Sequence, residues 1–316
     1  MTDVHTVRPT DLAALVTFDG QVYPNVAVTR DRVGAEASAH ALEAALEQWF
    51  SFATGRHTWI SVKGATLRGL ASARKRGAKS AWEIDCLVDA AEDDTSVLMS
   101  LFDQIAADAG RAGAEKIFLR TACDSAVAST AVQCGFVHYL DERLLAAEAQ
   151  APASGDSGAK LRRWTRADAY PTFRLYNRWT PETVRRIEAA TFREWMAVRE
   201  RLSQPRSTLQ RVTEGRGGLA GWLRTAADGE AGRFDLMADP EAPELYDQLI
   251  DAALSRLTEQ SAVFTLVPEF AVGLRERLEQ RGFVEQAGYS VFARRTTKTV
   301  TVAKLATASP ARVFPA

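Results

Sequence analysis

The sequence predicts an α+β protein made of two tandem copies of one unit, each a mixed, mostly antiparallel sheet flanked by helices. Three observations support this prediction: a length of 316 residues, one polar segment near the middle, and the same order of predicted elements on either side of it. A single hydrophobic core stops growing at roughly 250–300 residues, so this length favours two domains. An internal repeat explains why the two halves are alike.

The polar segment runs from Gln150 to Gly158 and consists of small and polar residues. Such residues bury little apolar surface, which is typical of an extended linker. We therefore predict an N-terminal domain at residues 1–149, a linker at 150–159, a C-terminal domain at 160–298 and a tail at 299–316.

Local patterns predict the elements of the first half. Apolar residues at helical spacing indicate helices, and short apolar or alternating runs between turn residues indicate strands. In order, these patterns predict a strand at Val4–Arg8, a helix from Pro9 to Phe18, a helix at Ala37–Phe50, a hairpin of Trp59–Val62 and Leu67–Ala73, a strand at Trp82–Val88 and a helix through Leu98–Ala109. Gly64 supplies the backbone freedom that the tight hairpin turn requires.

The second half repeats this order. The patterns predict a strand at Leu161–Trp164, a helix at Pro181–Leu202, a hairpin of Gln210–Thr213 and Leu219–Thr225, a strand at Arg233–Met237 and a helix through Leu245–Leu257. Both halves then close with a strand, a short helix, the tripeptide Gly-Phe-Val and a final strand. Ile117 lies 18 positions before Gly135, and Val263 lies 19 positions before Gly282. One duplicated unit accounts for both spacings.

Composition excludes several function classes. The chain is 46% hydrophobic and 25% charged with a net charge of −1, so it has no overall field to attract nucleic acid or an anionic membrane. It has no apolar run long enough to span a bilayer and no signal-peptide pattern at its start, so we expect a cytoplasmic protein. The three cysteines and four histidines lack metal-ligand spacing, so we expect no metal.

The element order and the two Gly-Phe corners resemble the GNAT superfamily of acyl-CoA-dependent N-acyltransferases, in a tandem form similar to mycothiol synthase-like proteins. The resemblance implies acetyl-CoA or another acyl-CoA as co-substrate, in a cleft where the fourth and fifth strands diverge. It also implies an acceptor amine on a small molecule or peptide, shaped here by residues 23–34 and 170–180. Oligomeric state is not indicated.

Glu83 matches the position where many members of this family carry the general base. A carboxylate there could deprotonate an ammonium so that the neutral amine attacks the thioester. Glu83 and Asp85 are expected to share one face of their strand, with Ile84, Cys86 and Val88 on the other. A structural ion pair or contact with solvent is the alternative interpretation of Glu83.

The resemblance also implies cofactor-binding backbone groups. Leu87 and Val88 would pair with the pantetheine arm, and the N–H groups of Asp94, Thr95, Ser96 and Val97 would bind the CoA diphosphate at a helix start. The glycines that the family uses in this loop are missing, and carboxylates crowd the corresponding helix start in both halves. The alternative is that these carboxylates stabilise their own helices.

The family's usual tyrosine, four residues before Gly-Phe, is replaced by Ala131 and Leu278. Two functions therefore remain open. The first is an N-acyltransferase in which the first domain, carrying Glu83, is the catalytic unit. The second is a non-catalytic GNAT-like protein that binds a ligand or partner.

Overall fold

A computed structural model describes residues 3–11, 14, 23–34, 38–39, 55–64, 66–91, 94–148, 160–202, 207–228 and 231–296. The predicted linker and tail, and most of the predicted helices at Pro9–Phe18 and Ala37–Phe50, lie outside these residues. None of the helices within them is long and apolar enough to cross a membrane.

The first half contains eight described strands, two α-helices with described bounds, and short 3-10 helices at Pro9–Asp11 and Arg30–Arg32. The strands are β1 (Asp3–Thr6), β2 (Tyr23–Pro24), β3 (Ser38–Ala39), β4 (Arg56–Lys63), β5 (Thr66–Lys75), β6 (Ala81–Asp89), β7 (Lys116–Ala122) and β8 (Val137–Glu148). The helices are α1 (Thr95–Arg111) and α2 (Val127–Gln133). The predicted hairpin is β4–β5, and Gly64 in its turn has φ +65°.

The second half contains six described strands and five helices. The strands are β9 (Arg162–Arg163), β10 (Thr208–Gly215), β11 (Gly218–Asp228), β12 (Ala231–Ala238), β13 (Ala262–Pro268) and β14 (Val284–Arg295). The helices are α3 (Ala169–Trp179), α4 (Glu182–Glu188), α5 (Phe192–Val198), α6 (Leu245–Arg256) and α7 (Val272–Glu279).

Two helical predictions differ from the structure. The single helix expected over Pro181–Leu202 is broken into α4 and α5, because Ala189 has extended backbone and Thr191 starts a new helix with a capping box to Glu194. The second difference is α3, which follows Thr165 between the predicted strand at Leu161–Trp164 and the predicted helix at Pro181–Leu202, and whose buried face includes Phe173.

Twelve strands form one continuous sheet in the order β1-β4-β5-β6-β7-β14-β8-β13-β12-β11-β10-β9. The final strands are exchanged between the halves: β14 pairs with β7 of the first half, and β8 pairs with β13 of the second. The two exchanged strands also pair with each other. The sequence predicts a sheet in each half, and the exchange joins these two sheets through their centre.

In both halves the two central parallel strands separate after three residue pairs. β6 and β7 pair from Ala81 to Glu83, and β12 and β13 pair from Ala231 to Arg233. Each strand continues past the last pair without its partner, so each half has an opening between diverging strands. This is the geometry that the family resemblance implies.

A bulge in β6 changes the predicted alternation of its side chains. The pairing with β5 shifts between Ser72 and Ala73, leaving Asp85 without an opposite residue. Ile84 therefore packs in the core beneath α1, whereas Cys86 and Val88 pack in a cluster on the other face. The prediction that these three residues share one face is wrong, because one extra residue reverses the alternation.

Candidate active site

The opening in the first half is filled by the chain itself. The N–H of Val26 donates to the carbonyl of Leu87 (2.9 Å), and the N–H of Val28 donates to the carbonyl of Arg120 on the opposite strand (2.9 Å). The side chain of Asn25 accepts from the N–H of Leu87 (2.9 Å). Residues 25–28 thus bridge β6 and β7 where these strands separate.

This segment occupies the backbone groups that the family resemblance assigns to pantetheine. Both the N–H and the carbonyl of Leu87 are hydrogen-bonded, and Val88 lies opposite Leu70 in the β5–β6 ladder. Both side chains are fully buried. A pantetheine arm would have to displace residues 25–28 to pair with Leu87, so binding there stays a prediction.

The helix start assigned to the diphosphate is also satisfied internally. Asp94 is the N-cap of α1 and accepts from the N–H of Ser96 (3.2 Å), while its own N–H donates to the carbonyl of Ala91. The N–H of Val97 donates to the carbonyl of Asp94 (3.1 Å). Thr95 is the first residue of the helix. These contacts favour the capping interpretation, in which the carboxylate takes the place an anion would occupy.

Glu83 lies at the last paired residue of β6 and is 3% exposed. Its carboxylate accepts from Nε of Arg74 (2.7 Å) and from Nε of Arg76 (3.2 Å). The ion-pair interpretation therefore describes its contacts, and a role as base stays a prediction. Arg74 and Arg76 are themselves buried, so both partners of this carboxylate are shielded from solvent.

Glu83 belongs to a buried ion-pair network between the halves that sequence reasoning missed. Glu200, after α5, pairs with Arg76 (3.1 Å) and Arg120 (2.9 Å) of the first half. Arg30 crosses in the other direction and pairs with Glu200 (3.1 Å) and Asp235 (2.8 Å) of the second half. Burial alone would disfavour the ionised carboxylate, but the surrounding arginines hold the pKa of Glu200 well below its usual range.

The opening in the second half leads into a cavity of about 160 Å³. A cavity of about 150 Å³ is large enough to bind benzene, so this space fits a small ligand or an acyl group. Its apolar lining includes Trp179, Trp195, Trp222, Leu266, Phe270 and Leu274. Residues after the last β12–β13 pair, such as Leu236 and Thr265, also line it. The diverging strands and the helices α3 to α5 therefore enclose one space.

Glu188, at the end of α4, places a carboxylate in this cavity. The hydroxyl of Tyr176 on α3 donates to its Oε2 (2.7 Å). Burial raises the pKa of Glu188 above its usual value, against the opposing effect of the Tyr176 hydrogen bond and of nearby Arg76. A carboxylate that binds a proton more readily than usual, next to a ligand-sized space, has the properties of a general base.

The pairing of the parallel strands shows that the second half has no carboxylate at the position that corresponds to Glu83. Glu83 is the last β6 residue paired with β7, and Arg233 is the corresponding residue of β12. The guanidinium of Arg233 donates to the carbonyl of Val33 (2.9 Å). The repeat thus carries opposite charges at this position. Glu188 has no motif around it, and only its place in a strongly amphipathic helical stretch was visible in the sequence.

Among known proteins, the chain is similar to solved structures. No family model matches the chain, and no curated protein matches its sequence. Among solved structures, a GCN5-related N-acetyltransferase from Sphaerobacter thermophilus matches 94% of this chain and 97% of its own, with TM-score 0.51 and 15% identity. A tandem GNAT protein from the clavulanic acid biosynthesis pathway matches 95% of this chain and 100% of its own, with TM-score 0.53 and 13% identity.

A third similar structure is the N-myristoyltransferase of Saccharomyces cerevisiae, solved with bound myristoyl-CoA. It matches 94% of this chain and 79% of its own, with TM-score 0.50 and 12% identity. Sequence identities this low carry the fold and not the activity. The chain has the fold of the GNAT N-acetyltransferases, with a mixed sheet flanked by helices in a tandem arrangement.

Proposed function

We propose that this chain is an acyl-CoA-dependent N-acyltransferase whose reacting groups meet in the cavity of the second half. The observation that carries the proposal is the contrast between the two openings. In the first, residues 25–28 bridge the diverging strands, whereas the second leads into a cavity that holds Glu188. The apolar lining suits an acyl group and the pantetheine arm. The finer relation to mycothiol synthase-like proteins stays a prediction.

Glu188 would act as the general base. Its carboxylate takes a proton from the acceptor ammonium, directly or through water, and leaves a neutral amine with a free lone pair. The amine nitrogen then forms a bond to the thioester carbonyl carbon, and the C–S bond breaks with its electron pair on sulfur. The excess proton of the nitrogen passes to this thiolate, directly or through water, so the amide is neutral and CoA leaves as the thiol. Tyr176 holds the carboxylate of Glu188 in place through its hydroxyl.

Ligand binding tests the proposal first. A ligand present at 100 times its dissociation constant stabilises the folded state by about 2.7 kcal/mol, which a thermal-shift titration detects. We expect stabilisation by acetyl-CoA or a longer acyl-CoA, followed by thiol release when an acceptor amine is added. If millimolar acyl-CoA leaves the melting temperature unchanged at every acyl chain length, the proposal is wrong.

Matched substitutions decide which half is catalytic. Glu188→Gln should lower turnover by about 10²- to 10⁴-fold, the usual contribution of a general base. Glu83→Gln should leave turnover within a few fold at temperatures where the variant stays folded, since its partners Arg74 and Arg76 are structural. The reverse result would return the site to the first half.

The runner-up is a non-catalytic protein that binds its ligand in the same cavity. The occupied donors at the start of α1 favour it, because three of the four N–H groups assigned to the diphosphate, those of Asp94, Ser96 and Val97, already donate within the chain. In the second half, Asp239 precedes α6, and its carboxylate is likewise paired within the chain, with Arg178. Binding without thiol release, across a broad panel of amines, would support this alternative.

A further inference from the structure

A second charged group of the cavity lining has no counter-ion among the residues that the structure describes. Arg199 follows α5, and its guanidinium lies over the rings of Trp164 and Trp195, at 5.5 and 5.2 Å from the ring centroids. Its Nη2 donates to Oε1 of Gln210 (2.9 Å), an atom that also accepts from Nε1 of Trp222 (3.2 Å). These contacts are to neutral groups and fix the orientation of the side chain.

The other two cations in the cavity lining are paired. Arg30 contacts three carboxylates, those of Glu142, Glu200 and Asp235, and Arg224 contacts Asp235. Within the part of the chain that the structure describes, no carboxylate lies within 4.0 Å of Arg199. Burial, and then the positive charge of Arg224, lower the pKa of Arg199 to about 10. Among the described residues, Arg199 is therefore the one positive charge of the cavity lining that no carboxylate pairs within 4.0 Å.

Glu188 has the complementary property. The described hydrogen bond to its carboxylate comes from the neutral hydroxyl of Tyr176, and no cation among the described residues lies within 4.0 Å of it. Burial outweighs the opposing effect of the more distant Arg76 and disfavours the ionised form. A bound cation would thus stabilise the ionised form of Glu188, and a bound anion would stabilise the charged form of Arg199. Trp179, Trp195 and Trp222 of the same lining supply aromatic surface. A ligand with both charges and an apolar body would satisfy all three features.

We propose that the acceptor substrate is a free amino carboxylate, with its ammonium at Glu188 and its carboxylate bound by Arg199. This inference rests on the proposed function, which it deepens by naming the substrate class. Arginine is suited to the task because its planar guanidinium presents parallel N–H donors to the two oxygens of a carboxylate. The Trp rings on which it lies hold that plane in position.

The phosphates of CoA are the other possible source of an anion. Arg199 lies beside the helices α3 to α5, on which Tyr176 and Glu188 also lie, and so belongs with the groups assigned to the acceptor. A carboxylate on the acceptor is therefore the anion that this position favours. The test includes an arm for the phosphates.

The experiment compares each amino acid with the amine that lacks its carboxylate: phenylalanine with phenethylamine, and 4-aminobutyrate with propylamine. Initial rates of thiol release from acetyl-CoA give the ratio of kcat/KM within each pair. The wild-type protein should favour the carboxylate-bearing member of at least one pair by about 10- to 100-fold, the range for a charged hydrogen bond. In Arg199→Gln this ratio should fall to about one, and in Arg199→Lys it should be intermediate.

Arg201→Gln is the matched control, because Arg201 is exposed and lies two positions further along. Its ratio should equal that of the wild type. Thermal-shift binding of the same amino acids and amines, without acyl-CoA, separates this inference from the proposed function. Carboxylate-dependent stabilisation that Arg199→Gln removes would support the anion site even if no amine were acylated.

Three results would overturn the inference. Equal rates within every wild-type pair would do so while leaving the N-acyltransferase proposal intact. A ratio that persists in Arg199→Gln, with the variant folded by circular dichroism, would place the carboxylate elsewhere. A rise in KM for acetyl-CoA but not for its 3′-dephospho form, in Arg199→Gln alone, would assign this cation to the co-substrate.

Discussion

At the scale of single residues, the carboxylate of Glu188 is less stable when ionised than a carboxylate in water. Burial raises its pKa in the folded state, so folding favours the protonated form. Its favourable contribution to stability is present below the pKa of the unfolded chain and is lost as pH rises through the folded-state pKa. Each unit of such a shift corresponds to about 1.4 kcal/mol.

We therefore expect Glu188→Gln to be at least as stable as the wild type at pH 8, with its relative advantage disappearing toward pH 4. Glutamine keeps an oxygen that can accept from Tyr176 and carries no charge to desolvate. Thermal melts of both proteins from pH 4 to pH 8 measure the difference. In the wild type, kcat/KM should decrease toward acid pH with a midpoint at the raised pKa of Glu188. The residual activity of the variant should not show this decrease. A variant that is markedly less stable at pH 8 would contradict this account.

Glu200 has the opposite behaviour, because Arg30, Arg76 and Arg120 surround it. Its pKa is held low, so its contribution to stability is present above the unfolded-state pKa and is lost as pH falls through the folded-state value. Glu200→Gln removes a carboxylate that three buried arginines share, which leaves an excess of buried positive charge although each arginine keeps another carboxylate partner, and it should cost about 3–5 kcal/mol at pH 7. Denaturant unfolding at pH 7 measures this cost.

The control for Glu200 is Glu182→Gln. Glu182 pairs with Arg186 one helical turn away, and both side chains are largely exposed. Exposed pairs of this kind contribute at most about 0.5 kcal/mol. Similar losses for the two variants would show that the network between the halves is not what stabilises this region.

At the scale of elements, residues 25–28 act as a short additional strand across the first opening. Asn25 closes it with three side-chain hydrogen bonds: it donates to the carbonyl of Asp85 and accepts from the N–H groups of Ala27 and Leu87. Asn25→Ala leaves the N–H of Leu87 without this acceptor and should cost about 1–3 kcal/mol. The measurement is the midpoint of urea unfolding.

Asn25→Ala also tests which half of the chain binds acyl-CoA. If the second-half cavity binds acyl-CoA, Asn25→Ala should retain the wild-type thermal shift with acetyl-CoA. A larger shift in the variant would mean that opening the first slot creates or improves a binding site there. Asn177→Ala is the control, since the described bond to its side chain is a longer one of 3.4 Å from Arg185.

The β5–β6 turn packs closely against α5, which belongs to the other half. A Cβ added at Gly77 would lie 2.3 Å from the carbonyl oxygen of Met196 and 3.1 Å from that of Ala197. The N–H of Ala78 donates to the same carbonyl of Ala197 (3.2 Å). Backbone atoms cannot move aside as a flexible side chain can, so this turn requires glycine.

Gly77→Ala should therefore destabilise the protein by about 1–3 kcal/mol, the usual cost of overpacking. Gly217→Ala in the β10–β11 turn is the matched control, because a Cβ there meets no atom within 4 Å. Thermal unfolding of both variants gives the comparison. Equal effects would indicate that chain entropy, and not the contact with α5, determines the result.

At the scale of the whole molecule, the exchange of β8 and β14 makes the halves interdependent. β14 pairs with β7 over seven residues, and β8 pairs with β13 over seven. A fragment of residues 1–149 would lack the strand that covers β7, and a fragment of residues 160–316 would lack the strand that covers β13. In each fragment, the strand β7 or β13, which is central in the intact sheet, would become an unpaired edge strand.

We expect neither fragment to unfold cooperatively by itself, and a mixture of the two to recover the circular dichroism and the single unfolding transition of the intact chain. Size-exclusion chromatography should show a one-to-one complex. A monomeric fragment with a cooperative transition would show that β8 or β14 can close on its own half. The predicted domain boundaries would then mark autonomous units.

The sequence by itself determined the local and repeated features of this protein. Helical periodicity, alternating strands and turn glycines act over a few residues, so the strands of the twelve-stranded sheet, both hairpins and the fold class followed from them. The Gly-Phe corners illustrate this: Gly135 and Gly282 have φ values of +80° and +81°, a region that favours glycine. Duplication made each of these signals visible twice.

Tertiary structure alone decided the features that depend on residues far apart in the chain. Asn25 meets Leu87, Arg30 meets Asp235, and β14 enters the first half of the sheet only after the whole chain has folded. Glu83 had the position expected of a base, yet its partners Arg74 and Arg76 are set by burial that no local pattern records. The cavity arises in the same way, because helices and diverging strands from distant segments leave space that no single segment encodes.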